Sequence, residues 1–360
     1  MTMELEATAA LPIRQVKKPL PDTLKSKVKK TFWTPRHIVQ LAFAALNVWL
    51  CVQFYNFVVA AQTTVEGPLP TRPAGAEGWL PISGLMGIMD WFANGALNPV
   101  HPASAILVLC FLVMSFLLRK TFCSWLCPVG TISDGLATLG RKIFKRNFLP
   151  PRWLDYPLMS LKYLLLGFFV FSFFVMGAAG INAFLGSPYN QVADVKMLLF
   201  FVNIGGLGAI ILIGLAVGSV FIRGFWCRYW CPYGALLGMV SWASPFKIMR
   251  NPQTCIDCDK CDKACPSRLP VATKLQIVSV ECTGCMECES ACPIKDCIKL
   301  TTGRRWTLDT KKLAWAVTGI FFAFVLTAKL TGHWQTNVTD EAYRYHLQRL
   351  ESPEYGHPGR

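Results

Sequence analysis

Five blocks of apolar residues, at about 38–61, 101–118, 157–179, 197–222 and 313–330, are separated along the chain by more polar stretches. At 1.5 Å of rise per helical residue, blocks of this kind have the length that crosses the hydrocarbon core of a bilayer. They predict a mainly α integral membrane protein with about five transmembrane helices. Gln40, Asn47 and Gln53, inside the first block, are expected to face other helices.

The positive charges orient these helices. Arg14, Lys17, Lys18, Lys25, Lys27, Lys29, Lys30 and Arg36 precede the first block, and seven Lys or Arg lie between 119 and 152. The stretch 62–101 holds only Arg72, and 180–196 only Lys196. Basic segments remain on the cytoplasmic side. The expectation is a multi-pass protein of the bacterial cell inner membrane with a cytoplasmic N-terminus. That terminus is read as a flank and not as a cleaved signal, because the block after it is too long and lacks a small-residue cleavage site. Lys162, near the start of the third block, is expected to snorkel to the cytoplasmic interface. Glu77-Gly-Trp-Leu-Pro81 and Met86-Gly-Ile-Met-Asp-Trp91 read as interfacial, with tryptophans at headgroup depth. The tail is read as periplasmic and solvated, carrying Tyr343, Tyr345, His346, Tyr355 and His357.

Composition supports the membrane reading, since 53% of the 360 residues are hydrophobic and only 16% charged. A formal net charge of +15 could suggest nucleic acid, but the basic residues cluster beside apolar blocks and no nucleic-acid motif is present. The lipid bilayer is the expected partner, and nucleic acid is not.

Two identical cysteine runs change the picture. Cys255-x2-Cys258-x2-Cys261-x3-Cys265-Pro266 is followed by Cys282-x2-Cys285-x2-Cys288-x3-Cys292-Pro293. This is the bacterial ferredoxin spacing, in which three close thiolates wrap one iron–sulfur cluster and the fourth, before proline, reaches the other. Cys255, Cys258, Cys261 and Cys292 are therefore assigned to one [4Fe-4S] cluster, and Cys282, Cys285, Cys288 and Cys265 to a second. Structural zinc normally separates its cysteine pairs by a dozen or so residues, and disulfides need an oxidising compartment. So small a segment buries little core, and ligation must supply most of its folding energy. Cys297 reads as a spare thiol, and Cys51 and Cys110 as small apolar residues.

Four more cysteines form an internal repeat. Arg119, Cys123, Cys127, Pro128 and Gly130 recur 104 positions later as Arg223, Cys227, Cys231, Pro232 and Gly234. Each unit is expected to be a two-helix membrane hairpin ending in Cys-x3-Cys-Pro, with both hairpins in one orientation about an axis along the membrane normal. The i, i+4 spacing places both sulfurs on one helical face, and the proline marks a break or a new helix start. Cys123, Cys127, Cys227 and Cys231 are candidate ligands of a third cluster; the alternative is that they are thiols that ligate nothing. The chain divides into a basic N-terminus (1–36), two hairpin repeats (37–152 and 153–249), an inserted α+β 2[4Fe-4S] ferredoxin domain (250–302), a fifth span (303–330) and the tail (331–360).

Paired Cys-x3-Cys-Pro motifs after membrane hairpins, followed by a double ferredoxin run, resemble the NapH- and NosR-type membrane-bound polyferredoxins. Further stretches carry the likeness, among them Ser187-Pro-Tyr189, Asp194-Val-Lys-Met-Leu198, Trp226-Cys-Arg-Tyr, Pro245-Phe-Lys-Ile248 and Gly356-His-Pro358. The resemblance implies an inner-membrane electron carrier between cytoplasmic or quinone donors and a reductase system, a component and not a stand-alone enzyme. NosR-like relatives carry a periplasmic flavin domain for which this chain has no room, so neither covalent flavin nor haem is expected. Quinone is a further candidate cofactor, with His101, Tyr189, Asp194 and Lys196 as candidate contacts at the outer interface. The alternative function is a redox assembly or metal-reducing maturation factor, for which Met86, Met89 and the tail histidines are candidate ligands. A redox sensor would have to signal through a partner protein, since no DNA-binding or kinase module is present.

Overall fold

Prolines fix where many of the helices begin, because a residue with φ near −65° and no N–H is tolerated in the first helical turn and disruptive beyond it. In the computed structural model, which describes residues 34–63, 67–303 and 306–356, α1 (Pro35–Thr63), α2 (Pro81–Asn94), α3 (Pro102–Leu118) and α4 (Pro128–Phe144) all start on proline. The basic segment up to Lys30, and His357 with Pro358, lie outside the described residues.

The chain continues through α5 (Arg152–Leu185), bent where Gly177 adopts φ 63°, then α6 (Ala193–Val202) and α7 (Gly206–Phe221). A short helix α8 (Phe225–Tyr229) precedes α9 (Pro232–Trp242). By length and composition α1, α5 and α12 (Thr310–Leu330) can each cross a membrane. The fourth expected span is not one helix: α6 and α7 meet at 80° across a break at 203–205. Asn203, Gly205 and Gly206 form a stop signal inside an otherwise apolar run, which hydropathy alone overlooks. The pair could count as one broken span, and α3 is apolar but only 17 residues long.

Helix α3 is central, packed against α2, α9 and α12, and buries Leu107, Cys110, Met114 and Leu118. Large apolar side chains point outward elsewhere, including Val48, Trp49, Phe171, Phe174, Ile210 and Ile213. A fold that leaves this many large hydrophobics on its perimeter has lipid and not water as its natural solvent. Cys51 belongs to that outer surface.

The cysteine runs sit on an antiparallel sheet of order β2-β1-β3-β4, built from β1 (Lys247–Arg250), β2 (Gln276–Ile277), β3 (Ile298–Thr301) and β4 (Thr307–Leu308). Ile248 pairs with Ile277 on one side and Leu300 on the other, and all three are buried. Helices α10 (Lys260–Ala264) and α11 (Glu287–Ala291) complete this α+β unit.

The tail is not a solvated strand. Helix α13 (Asp340–Leu347), capped by the Thr339 hydroxyl, buries Tyr343 edge-on against Phe57 of α1. His346 bridges the Tyr355 hydroxyl (2.6 Å) and Gln191 (2.8 Å). Beneath it lies a buried ionic network: Arg72 pairs with Asp194 (2.6 Å) and Glu77 (2.8 Å), and Glu77 accepts the Ser104 N–H at the head of α3. His101 donates through Nε2 to the Asn190 carbonyl (2.6 Å). The tail was expected to be solvated because it is polar; it is held because its aromatic residues close over this charge cluster.

Candidate metal centres

Each ferredoxin run repeats one backbone course, 27 residues apart. Asp257 and Gly284 sit in the left-handed region, as do Asp259 and Met286 before α10 and α11. These turns curl the first three cysteines of each run inward, and the chain then carries the fourth across. Cys255, Cys258, Cys261 and Cys292 border one small cavity. Cys265, Cys282, Cys285 and Cys288 border another. Among the described residues no three His, Cys, Asp or Glu side chains close tightly enough to hold a single ion. Rings of four thiols around a cavity match the donor set of a cluster. Cys297 also borders the first ring, a placement the run spacing gave no sign of.

The repeat cysteines also gather. Cys227 lies within electrostatic reach of Cys123, Cys127 and Cys231, and all four line one end of a cavity of about 1140 Å³. The sulfurs of a motif do not share one continuous helix. Cys127 ends a π-helical turn (Phe122–Leu126), and Cys231 follows α8; each then stands as N-cap of the next helix, in extended conformation. The proline forces this step. It leaves α4 and α9 aimed N-terminus first at the site, and the Cys231 sulfur accepts the Gly234 N–H at 3.3 Å. Helix N-termini and buried cations favour an anionic tetrathiolate centre.

The cations are Lys120 and Lys162. Lys162 does not snorkel: it is fully buried, with Nζ 2.7 Å from both oxygens of Glu281, which also accepts the Tyr163 hydroxyl and lies 3.7 Å from Lys120. An internal carboxylate supplied by the ferredoxin unit replaces the aqueous interface. Burial alone would raise the Glu281 carboxyl, but the two lysine charges push it down to about 2. Asp155, in the first turn of α5, accepts hydrogen bonds from the Arg228 guanidinium (3.0 and 2.7 Å) and the Tyr229 hydroxyl (2.6 Å). Glu281→Gln strands two buried ammonium groups. It is expected to cost about 3 kcal/mol or more, read as a lowered thermal midpoint of the detergent-purified protein. Asp296→Asn, which breaks the exposed pair with Lys299, is expected to cost less than about 1 kcal/mol.

The second ferredoxin ring is docked on the repeat motifs. Trp125 donates to the Gly284 carbonyl (3.1 Å), Ser124 to Thr283 (2.7 Å), Arg119 to Ser279 (2.5 Å), and Arg223 to Ala264 (3.1 Å). Of the two repeat arginines, Arg223 grips the first cysteine run and Arg119 the segment just before the second. Pro266, Ser267 and Thr283 line both the second ring's cavity and the large one. These three residues form a common wall between the second ring's cavity and the one the repeat cysteines line.

From there the large cavity extends between α1, α5 and α12, past Phe43, Leu46, Phe111, Phe169 and Phe322, to Arg72, Trp79 and Trp334 at the far end. Its cysteine end carries polar atoms without protein hydrogen-bond partners: the Tyr233 and Ser133 hydroxyls and the Arg223 Nε. The residues expected from sequence to contact quinone do not line this cavity. His101 and Asp194 are committed to the buried ionic network, while Lys196 bonds the Tyr355 carbonyl and covers the Tyr189 ring. Met86 packs with Phe173 and Ile181.

A family profile described as "4Fe-4S binding domain" matches the chain twice, at residues 100–147 and 204–251, and one described as "4Fe-4S dicluster domain" matches 247–293. The two copies of the first are 104 positions apart, the offset of the cysteine repeat. The chain is similar to "Putative electron transport protein YccM" of Escherichia coli, with 43% identity covering 94% of this chain and 97% of that protein. It is similar to the ferredoxin-type protein NapH of Haemophilus influenzae (27% identity over 45% of this chain and 52% of that one). It is also similar to the regulatory protein NosR of Pseudomonas aeruginosa (28% identity over 41% and 20%). No solved structure matches the chain.

Proposed function

Because the chain belongs to the NapH- and NosR-type family of membrane-bound polyferredoxins, of which YccM is a member, we propose that it relays electrons between its ferredoxin centres and a quinone-type carrier in the large cavity. The observation that carries this reading is the shared wall of Pro266, Ser267 and Thr283. It puts the second ring beside the cavity that the repeat cysteines line; in this reading electrons pass between first ring, second ring, repeat cysteines and cavity in that order. When bound, iron–sulfur clusters supply one-electron carriers at the three groups.

The residues do the rest. The cysteine rings hold the clusters, and the docked carbonyls of 279–284 keep the second ring against the repeat motifs. Lys120 and Lys162 offset the negative charge of four thiolates. At the end of the cavity nearest the cysteines, the Tyr233 and Ser133 hydroxyls offer hydrogen bonds to a quinone oxygen, while the phenylalanine walls take its ring and tail. In this reading α1, α3, α5, the α6/α7 pair and α12 are five spans of the bacterial inner membrane, with the ferredoxin unit cytoplasmic and the tail periplasmic.

The test uses the full chain in lipid nanodiscs under anaerobic conditions, with cluster reduction followed by EPR. A short-chain quinol is expected to reduce the protein, or the quinone to oxidise dithionite-reduced protein. Leu46→Trp, which fills the cavity away from the cysteines, is expected to weaken that reaction about tenfold or more. Clusters that exchange no electrons with quinone in either direction would overturn the proposal.

A further inference from the structure

The two ferredoxin rings differ at one position. Pro270 follows Cys265 by five residues, and Cys297 follows Cys292 by the same five. The first ring's cavity is therefore bordered by five sulfurs, those of Cys255, Cys258, Cys261, Cys292 and Cys297, and the second's by four. Cys297 is buried whereas Cys292 is half-buried. The Cys297 thiol donates to the Asn251 carbonyl at 3.7 Å and sits within hydrogen-bond reach of the Cys292 and Cys255 sulfurs. Its backbone is pinned, with the Asn251 N–H on its carbonyl at 2.8 Å and β3 beginning at the next residue. Its side chain already borders the cavity that the four ring cysteines enclose.

We propose that Cys297 is a replacement ligand of the first centre, taking the iron otherwise bound by Cys292 when that sulfur is lost. This rests on the reading of the ring as a cluster site. The step is a substitution at iron with no change of oxidation state: the Cys297 thiol releases its proton and its sulfur takes the coordination position. A departing Cys292 thiolate is protonated in turn. The structural logic is exposure, since the more accessible ligand, first reached by oxidants, has a sheltered thiol beside it. The second ring, with a proline at that position, has no such reserve.

The experiment measures iron and acid-labile sulfide, with EPR of the reduced state, on the full-length protein purified anaerobically. Cys297→Ala is expected to keep the wild-type iron content. Cys292→Ala is expected to keep it too, with shifted g-values, and Cys292→Ala/Cys297→Ala to lose up to about four irons per chain. Cys265→Ala, at the ring without a reserve, is expected to lose iron by itself. If Cys292→Ala loses as much iron as the double variant, the proposal is overturned. Should the alanine variant not accumulate, the near-isosteric Cys292→Ser decides: an all-sulfur signal supports replacement and an oxygen-ligated one refutes it. Wild-type protein with no iron in the ferredoxin unit would instead overturn the cluster reading itself.

Discussion

Replacing Cys127 and Cys231 together by serine is expected to lower iron from about twelve to about eight atoms per chain, with acid-labile sulfide falling in step. The ferredoxin rings hold eight of the twelve motif cysteines, and the remaining four line one end of the membrane cavity. The double variant removes one thiol from each repeat, leaving Cys123 and Cys227, which are too few for a stable cluster. Serine keeps the helix N-cap at both positions, so α4 and α9 retain their starts. Reduction of the two ferredoxin clusters by dithionite is expected to persist while reduction by quinol ceases. An unchanged count near eight in wild type and variant alike would confine the metal chemistry to the ferredoxin unit.

Gly130→Ala is expected to lose the same irons as that double variant, whereas Gly234→Ala is expected to retain them. The two glycines are equivalent in the repeat but not in space. A methyl group at Gly130 would lie closer than 3.0 Å to the carbonyl oxygen of Cys123. Backbone at that distance cannot yield without moving the cysteine itself. At Gly234 the nearest neighbours would be the Cys231 sulfur at 3.6 Å and the Cys227 carbonyl at 3.8 Å, ordinary contacts. The readout is iron content per chain, with retention in membranes as a control for folding. Equal loss from both variants would mean that close approach at Gly130 is not what shapes the site.

The grouping of the ferredoxin cysteines was more legible than the architecture. Spacing alone placed Cys292 with the first run and Cys265 with the second, and the cavities group them so, because a fixed spacing in a short segment leaves the backbone few courses. The repeat was legible for a related reason: five residue identities recur at one offset. What escaped were features depending on contacts between distant segments. Lys162 looked like an interfacial lysine until Glu281, 119 residues later, supplied its counter-charge. His101 and Asp194 read as candidate quinone contacts at the outer interface, but Arg72 and Glu77 hold them inside. Hydropathy counted residues 197–222 as one span, since two glycines and an asparagine barely change an average but do end a helix. Cys297 carried no motif at all, and its place at the first ring follows from β3 and the Asn251 turn.

The grip of Arg119, Ser124 and Trp125 on the carbonyls of 279–284 also bears on how the protein matures. Those carbonyls belong to the chain that wraps the second ring, so their positions are set only once that ring is closed. The upstream helices leave the ribosome first, and until the segment after Gln276 folds, Arg119 has the Ser241 carbonyl but not that of Ser279, and Lys162 lacks the carboxylate that neutralises it. Closure of the second ring thus latches the two halves, and on the proposed reading it is cluster loading that closes it. A cell short of iron or sulfide would accumulate a half-assembled protein with unpaired internal charge, a species suited to removal by membrane quality-control proteases.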